Sequence, residues 1–157
     1  MALGSTGQDG EPGRYGQPVM ARYAVSSIAD VPSIREDGVD WRPIQHYFQL
    51  TAFGLNVYLA EQAGGDLIGD HDETTGLHEE VYVVLDGRVR FRVEDDEFVI
   101  GRGGLVVVPD PSVRRAAKAD TPDAAVLAVG NRQAHRFEST WNPEHFRGVP
   151  TYDERSA

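Results

Sequence analysis

Residues 78–91 read HEEVYVVLDGRVRF, and this stretch decides the fold class of the chain. A run of β-branched and aromatic side chains, Val81 to Leu85, is followed at once by Asp86–Gly87, and then apolar residues alternate with arginines. The run is typical of a buried strand, and the alternation is typical of a strand with one buried face. An Asp-Gly pair between two such strands predicts a β-hairpin.

Further short strands are predicted on both sides of this stretch. The segments with strand patterns are 44–50, 56–60, 67–68, 81–85, 89–93, 98–100, 105–108 and 125–129. Turn residues separate these segments at regular spacing, and no long helical periodicity competes with them, so we expect eight or more strands in a closed all-β barrel or sandwich. The polar, turn-rich segment 29–40 is interpreted as a connection that crosses the barrel.

The domain organisation follows from length and composition. The chain has 157 residues, which suits a single domain. Residues 1–20 are rich in Gly, Ser, Pro and Gln and are predicted to form a flexible N-terminal arm. The barrel is predicted over residues 21–130, and residues 131–157 are predicted to be a short polar tail packed on or near it.

Composition excludes several classes of function. The chain has no cysteine, which rules out disulfides, thiolate metal ligands and cysteine nucleophiles. Its net charge of −10 disfavours nucleic-acid binding. No apolar run approaches the roughly 18 residues of a membrane span, and the N-terminus does not resemble a signal peptide, so we expect a soluble cytoplasmic protein without membrane contact. Neither a Gly-x-Ser-x-Gly motif nor a phosphate-binding glycine loop before a helix is present.

Residues 65–87 resemble the first of the two sequence motifs of the cupin superfamily. That motif has a glycine, two histidines one residue apart, a glutamate and a second glycine. Here five residues separate Gly65 from His71, and six residues separate Glu80 from Gly87, as in the family. Glu73 stands where the second histidine is expected, and the interval from it to Glu80 is two or three residues longer than in the family.

Residues 103–118 resemble the second cupin motif. Five residues separate Gly103 from Pro109, as the family pattern requires. Pro111 stands in place of a glycine, Arg114 in place of the metal-binding histidine, and Lys118 in place of an asparagine.

The resemblance implies an all-β, single-domain cupin fold. This is a double-stranded β-helix, the RmlC-like jelly-roll barrel, to which the flexible arm and the short tail would be attached. Cupins include dioxygenases, isomerases, decarboxylases, storage proteins and sensors, so the fold alone does not fix an activity. Family metal sites combine histidines with a glutamate, which implies that a divalent Fe, Mn, Ni or Zn ion is possible here.

Four residues are the candidate metal ligands: His71, Glu73, His78 and Glu80. Residues two apart on a strand face the same side, so His71 with Glu73, and His78 with Glu80, can each point into the barrel. The alternative for the first pair is a solvated acidic turn at residues 70–76. For the second pair it is that His78 caps the loop and Glu80 accepts a hydrogen bond within the barrel mouth.

Three residues are the candidate substrate-binding residues: Arg114, His46 and Tyr82. A guanidinium cannot bind a metal, so an inward Arg114 would pair with Glu73 or Glu80, or hold a carboxylate or phosphate of a ligand. The alternative is that Arg114 is exposed. His46, on a predicted strand, and Tyr82 would line the pocket or belong to the structural core.

Three functions are compatible with these residues, and whether the protein is an enzyme stays open. The first is a small-molecule-binding cupin with a variant divalent-metal site, which would act on a small polar or anionic substrate if it is catalytic. The second is a metal-free cupin that acts as a ligand-binding or sensing module. The third is metal-free acid–base catalysis by His78 or His46 with Tyr58 or Tyr82, which resembles sugar epimerases of this fold. We also expect a homodimer, because strand addition between barrels protects exposed strand edges.

Overall fold

The computed structural model describes residues 24–36, 38–135, 142, 144 and 147–149. These residues form ten strands, one short α-helix and a 3-10 turn at Ile28–Asp30. The elements are β1 (Ile34–Glu36), β2 (Val39–Arg42), α1 (Ile44–Tyr47), β3 (Gly54–Ala60), β4 (Asp66–His71), β5 (His78–Asp86), β6 (Arg88–Val93), β7 (Asp96–Gly101), β8 (Leu105–Val108), β9 (Arg115–Ala119) and β10 (Ala124–Arg132). The predicted arm at residues 1–20 and most of the predicted tail lie outside the described residues.

The strands form two antiparallel sheets. The larger sheet has six strands in the order β1-β2-β3-β10-β5-β8, and the smaller has four in the order β4-β9-β6-β7. The core between them contains Tyr82, Val84 and Val126 from the larger sheet, and Val89 and Phe91 from the smaller one. The all-β, jelly-roll prediction is therefore confirmed.

The predicted hairpin at Asp86–Gly87 is wrong, although both of its strands exist. β5 pairs with β10 on one side and β8 on the other, so β6 cannot pair with it, and β6 belongs to the smaller sheet. Gly87 instead forms a corner between the sheets, with φ of +64°, and a Cβ atom there would lie 2.9 Å from Cα of Ala124. Only glycine fits such a turn without strain. A hairpin does join β6 to β7, through Glu94 and Asp95.

The N-terminal region differs from the prediction in two places. Segment 29–40 is not a plain connection, because β1 and β2 pair there across a turn that contains Gly38 at φ of +86°. Residues 44–50 are not a strand, because Ile44–Tyr47 form helix α1, which follows the buried Pro43. A helix of four residues is too short for its period to show in the sequence, which is why the weak alternation at 44–50 predicts a strand instead.

The last barrel strand is longer than predicted. β10 continues to Arg132, two residues beyond the predicted boundary at 130, and its end pairs with the start of β5. This extension matters for the site, because it builds the rim of the cavity described below. In the described part of the chain, no helix has the length and apolar character that crossing a membrane requires.

Candidate functional site

A cavity of about 900 Å³ opens where β4 and β10 end and β3 and β5 begin. Its wall carries most of the titratable side chains that the sequence singled out, namely His71, His78, Glu73, Glu80, Tyr58 and Tyr82. The pleat of β5 places three of these on the inner face, because residues 78, 80 and 82 alternate with outward ones. His71 comes from the end of β4 and Glu73 from the loop that follows it.

Three residues form a group with the geometry of a metal site. One ligand atom from each of His71, Glu73 and Glu80 lies within 4.8 Å of the other two. Nε2 of His71 is 3.7 Å from Oε1 of Glu73 and 3.8 Å from Oε2 of Glu80. A single ion with bonds of about 2.0–2.2 Å to each atom can bridge such distances.

The ring orientation of His71 fixes which nitrogen faces this group. Nδ1 lies 2.8 Å from the carbonyl oxygen of Gly69, which can only accept a hydrogen bond. Nδ1 therefore carries the proton, and the lone pair of the neutral ring is on Nε2, facing two carboxylates. The carboxylate of Glu80 is the main cause that raises the pKa of His71 above its ordinary 6.5, because negative charge favours the imidazolium. Because Nε2 of His71 faces the carboxylates of Glu73 and Glu80, this position favours a cation, either a proton or a metal ion.

A buried arginine holds Glu80 from behind. Arg115 is fully buried, and its Nε and Nη2 both donate to Oε2 of Glu80. Nη1 donates to the carbonyl of Val113 at 3.0 Å, and the hydroxyl of Tyr82 donates to the same glutamate oxygen. Every nitrogen of the guanidinium is therefore engaged within the fold, so Arg115 positions Glu80 and is not open to a ligand.

These contacts set the protonation states on the inner wall. Burial alone would raise the pKa of Glu80, but His71, Arg115 and Tyr82 outweigh it and lower the pKa from 4.5 to about 2. Burial and the charge of Glu80 raise the pKa of Tyr82 above its ordinary 10. At neutral pH Glu80 is therefore ionised and Tyr82 is a neutral hydrogen-bond donor.

Glu73 links the two cavity histidines. Nδ1 of His78 lies 2.8 Å from Oε2 of Glu73, whose other oxygen faces His71. Gly76 lies directly beneath this contact, where a Cβ atom would be only 2.7 Å from both Oε2 of Glu73 and Cε1 of His78. The absence of a side chain at Gly76 thus leaves room for Glu73 to contact His78, which lies at the edge of the metal-like group.

The other predicted binding residues lie elsewhere. Arg114 is exposed and pairs with Asp70 and Asp72, 3.2 and 3.6 Å away, on the outside of the barrel. His46 is exposed on α1 and does not line the cavity. Tyr82 does line it, although only 1% of its surface is exposed.

Sequence reasoning missed Arg115, and a signal for it exists. In β9 the buried residues are Arg115, Ala117 and Ala119, while Lys118 is exposed. The small apolar residues at 117 and 119 predict the inward face, and a period of two assigns residue 115, not 114, to it. Motif spacing pointed one residue too early, because β9 begins after the position at which the family has its histidine.

Comparison with solved structures shows that this architecture is the cupin fold. A cupin protein from Bacteroides fragilis matches with a TM-score of 0.60 and 16% identity, over 77% of this chain and 93% of that one. KdgF from a Halomonas species matches with a TM-score of 0.54 and 17% identity, over 69% of this chain and 95% of that one. No protein-family model matches the sequence, and no curated protein does either.

A third neighbour is named as an enzyme. A sugar phosphate isomerase of the cupin superfamily from Silicibacter pomeroyi matches with a TM-score of 0.50 and 20% identity. The match covers 62% of this chain and 61% of that one. Sequence identities this low establish the fold and leave the activity to be argued from the site.

Proposed function

Because this chain has the cupin fold, with its titratable residues gathered in one cavity, we propose that it binds a small polar or anionic molecule there together with one divalent metal ion. His71, Glu73 and Glu80 would hold the ion. The observation that carries the proposal is the hydrogen bond from Nδ1 of His71 to Gly69, which leaves a lone pair aimed between two carboxylates. One imidazole and two carboxylates suit Fe, Mn, Ni or Zn.

The other cavity residues would orient the ligand and exchange protons with it. His78 donates from Nδ1 to Glu73, so its Nε2 carries the lone pair that can accept a proton. Arg115 and Tyr82 hold one oxygen of Glu80 and prevent it from rotating away. A bound ion would supply Lewis acidity, which polarises a ligand oxygen or acidifies a bound water. The named sugar phosphate isomerase among the structural neighbours agrees with a small polar ligand.

The test is the metal content of protein purified without a histidine tag or chelator. We expect about one Fe, Mn, Ni or Zn ion per chain, lost in His71→Ala and Glu73→Gln and kept in His46→Ala, whose histidine is exposed outside the cavity. Saturation with the preferred ion at about 100 times its Kd stabilises the fold by about 2.7 kcal/mol. The proposal fails if the protein holds no metal and no divalent ion raises its Tm. Metal that stays in His71→Ala would also contradict it.

One observation favours a second candidate, a metal-free ligand-binding module. Arg115 already neutralises Glu80, which makes that carboxylate a weaker metal ligand. A proton on Nε2 of His71 would then supply the positive charge between Glu73 and Glu80, in agreement with the raised pKa of this histidine. The metal analysis separates the candidates, because only the first one loses an ion on His71→Ala.

A further inference from the structure

The rim of the cavity, where β10 ends, carries an arginine that has no part in the metal-like group of His71, Glu73 and Glu80 at the cavity floor. Arg132, the last residue of β10, lies opposite His78 in the β10–β5 ladder, while Gly130 lies opposite Glu80. Residues 78 and 80 share the inner face of β5, and 130 and 132 share the inner face of β10. The register therefore directs Arg132 toward the cavity, and Arg132 is among the residues that line it.

The contacts of Arg132 leave most of its hydrogen-bonding capacity unused. Its Nε donates to the carbonyl of Gly76 at 3.1 Å. Within the described residues, neither Nη nitrogen has a hydrogen-bond partner and no carboxylate pairs with the guanidinium. Arg114, in contrast, is paired with Asp70 and Asp72. Arg132 is thus an arginine at the cavity whose outer nitrogens are available to a ligand.

The rim is held in place independently of any ligand. The backbone N–H of Gln133 donates to the carbonyl of Leu77 at 3.0 Å, and its side-chain amide donates to Pro109 at 2.7 Å. The turn after β10 also brings His135 close, because its N–H donates to the carbonyl of Arg132 at 2.9 Å, and His135 lines the same cavity. A fixed backbone lowers the entropy cost of ordering Arg132 around a ligand.

We propose that Arg132, with His135 beside it, forms an oxyanion subsite at the rim of the cavity, and that the ligand is a small carboxylate or phosphate ester. A planar guanidinium binds either group through paired N–H donors. Glu73 and Glu80 already supply two negative charges to the proposed divalent ion, so the inner end of the ligand needs no charge and is an uncharged hydroxyl or carbonyl. Two residues along a strand separate rim from floor, which puts these groups about 7 Å apart. The inference rests on the proposed function and adds the substrate class.

Calorimetric titration with glycerol 3-phosphate, glycerate and uncharged glycerol tests the subsite. We expect both anions to bind the wild type and glycerol not to bind. Arg132→Gln should weaken anion binding at least tenfold. Arg132→Lys should weaken it less, because an ammonium keeps the charge but loses the paired geometry. Arg114→Gln is the matched control, since it removes an exposed arginine on the outside of the barrel, and it should bind like the wild type.

Several results would overturn the subsite. They are that the wild type binds neither anion, that Arg132→Gln binds the anions as tightly as the wild type, or that Arg114→Gln loses as much affinity as Arg132→Gln. Tm and metal content, measured on the same samples, separate this failure from failure of the proposed function. Arg132→Gln should keep both values, because the residue is exposed and lies above the metal-like group. Metal bound at the floor with no role for Arg132 would disprove only the rim subsite.

Discussion

A single buried side chain, Arg115, determines how Glu80 behaves. The side chain of Arg115 has no exposed surface and that of Glu80 is 14% exposed. Removing the guanidinium therefore leaves a mostly buried carboxylate without its ion-pair partner. We expect Arg115→Met to lower the free energy of unfolding at pH 7 by about 3 kcal/mol or more. Arg114→Met should cost less than about 1 kcal/mol, because its ion pairs are exposed. Urea unfolding of both variants measures the difference.

The ion pair between Arg115 and Glu80 also predicts how the loss of stability in Arg115→Met depends on pH. The folded-state pKa of Glu80 is about 2, below the 4.5 of the unfolded chain, so the ionised glutamate stabilises the fold above pH 4.5. This contribution disappears as the pH falls from 4.5 toward 2, and the shift corresponds to about 3 kcal/mol. The gap between wild type and Arg115→Met should therefore shrink over that range. A gap that stays constant down to pH 2 would contradict this account of Glu80.

At the scale of elements, the strands were more predictable than their connections. The apolar runs of β5 and β8 and the alternation of β6 were read directly from sequence, because burial acts on every second residue. The Asp-Gly pair predicts a hairpin where Gly87 forms a corner between sheets, since an Asp-Gly turn does not specify which sheet receives the next strand. Helix α1 has only four residues, too few for periodicity to identify.

The residues of the candidate site, like the elements of the fold, were only partly predictable from the sequence. Family spacing points to His71, Glu73 and Glu80, which the structure brings together at one cavity wall, although Glu73 lies in the loop after β4 and not on a strand. It could not find Arg115, which comes one residue after the motif position. Arg132 escaped as well, since its role depends on the pairing of β10 with β5, and pairing is a long-range property.

The close packing around Gly76, in the loop between β4 and β5, leads to a further prediction. A Cβ atom there would lie 2.7 Å from Glu73 and His78. Gly76→Ala should therefore separate these side chains, shift the imidazole NMR signals of His78, and weaken metal binding about tenfold, as losses of supporting contacts do. Gly69→Ala is the control, because its Cβ atom would meet nothing within 4 Å. Unchanged His78 signals in Gly76→Ala would show that the loop adapts without cost.

At the scale of the whole molecule, the two sheets present different outer surfaces. The outer face of the four-stranded sheet is covered by ion pairs, including Arg92 with Asp70 at 2.9 Å and Lys118 with Asp66 at 2.8 Å. The six-stranded sheet ends at β8, whose outward side chains Leu105 and Val107 are 60% and 59% exposed. An edge strand with apolar side chains favours association, whereas paired charges remain hydrated.

The homodimer expected from sequence stays a prediction, and β8 is where we place its contact. Two copies related by a twofold axis can pair their β8 edges antiparallel, which buries Leu105 and Val107 of each. Light scattering should then give twice the 17.3 kDa of one chain. Val107→Glu should give the single-chain mass, because it would bury a charge at the contact. Val25→Glu, at a position 89% exposed in the N-terminal segment, should remain dimeric. A single-chain mass for the wild type would refute the dimer, and a dimeric Val107→Glu would move the contact away from β8.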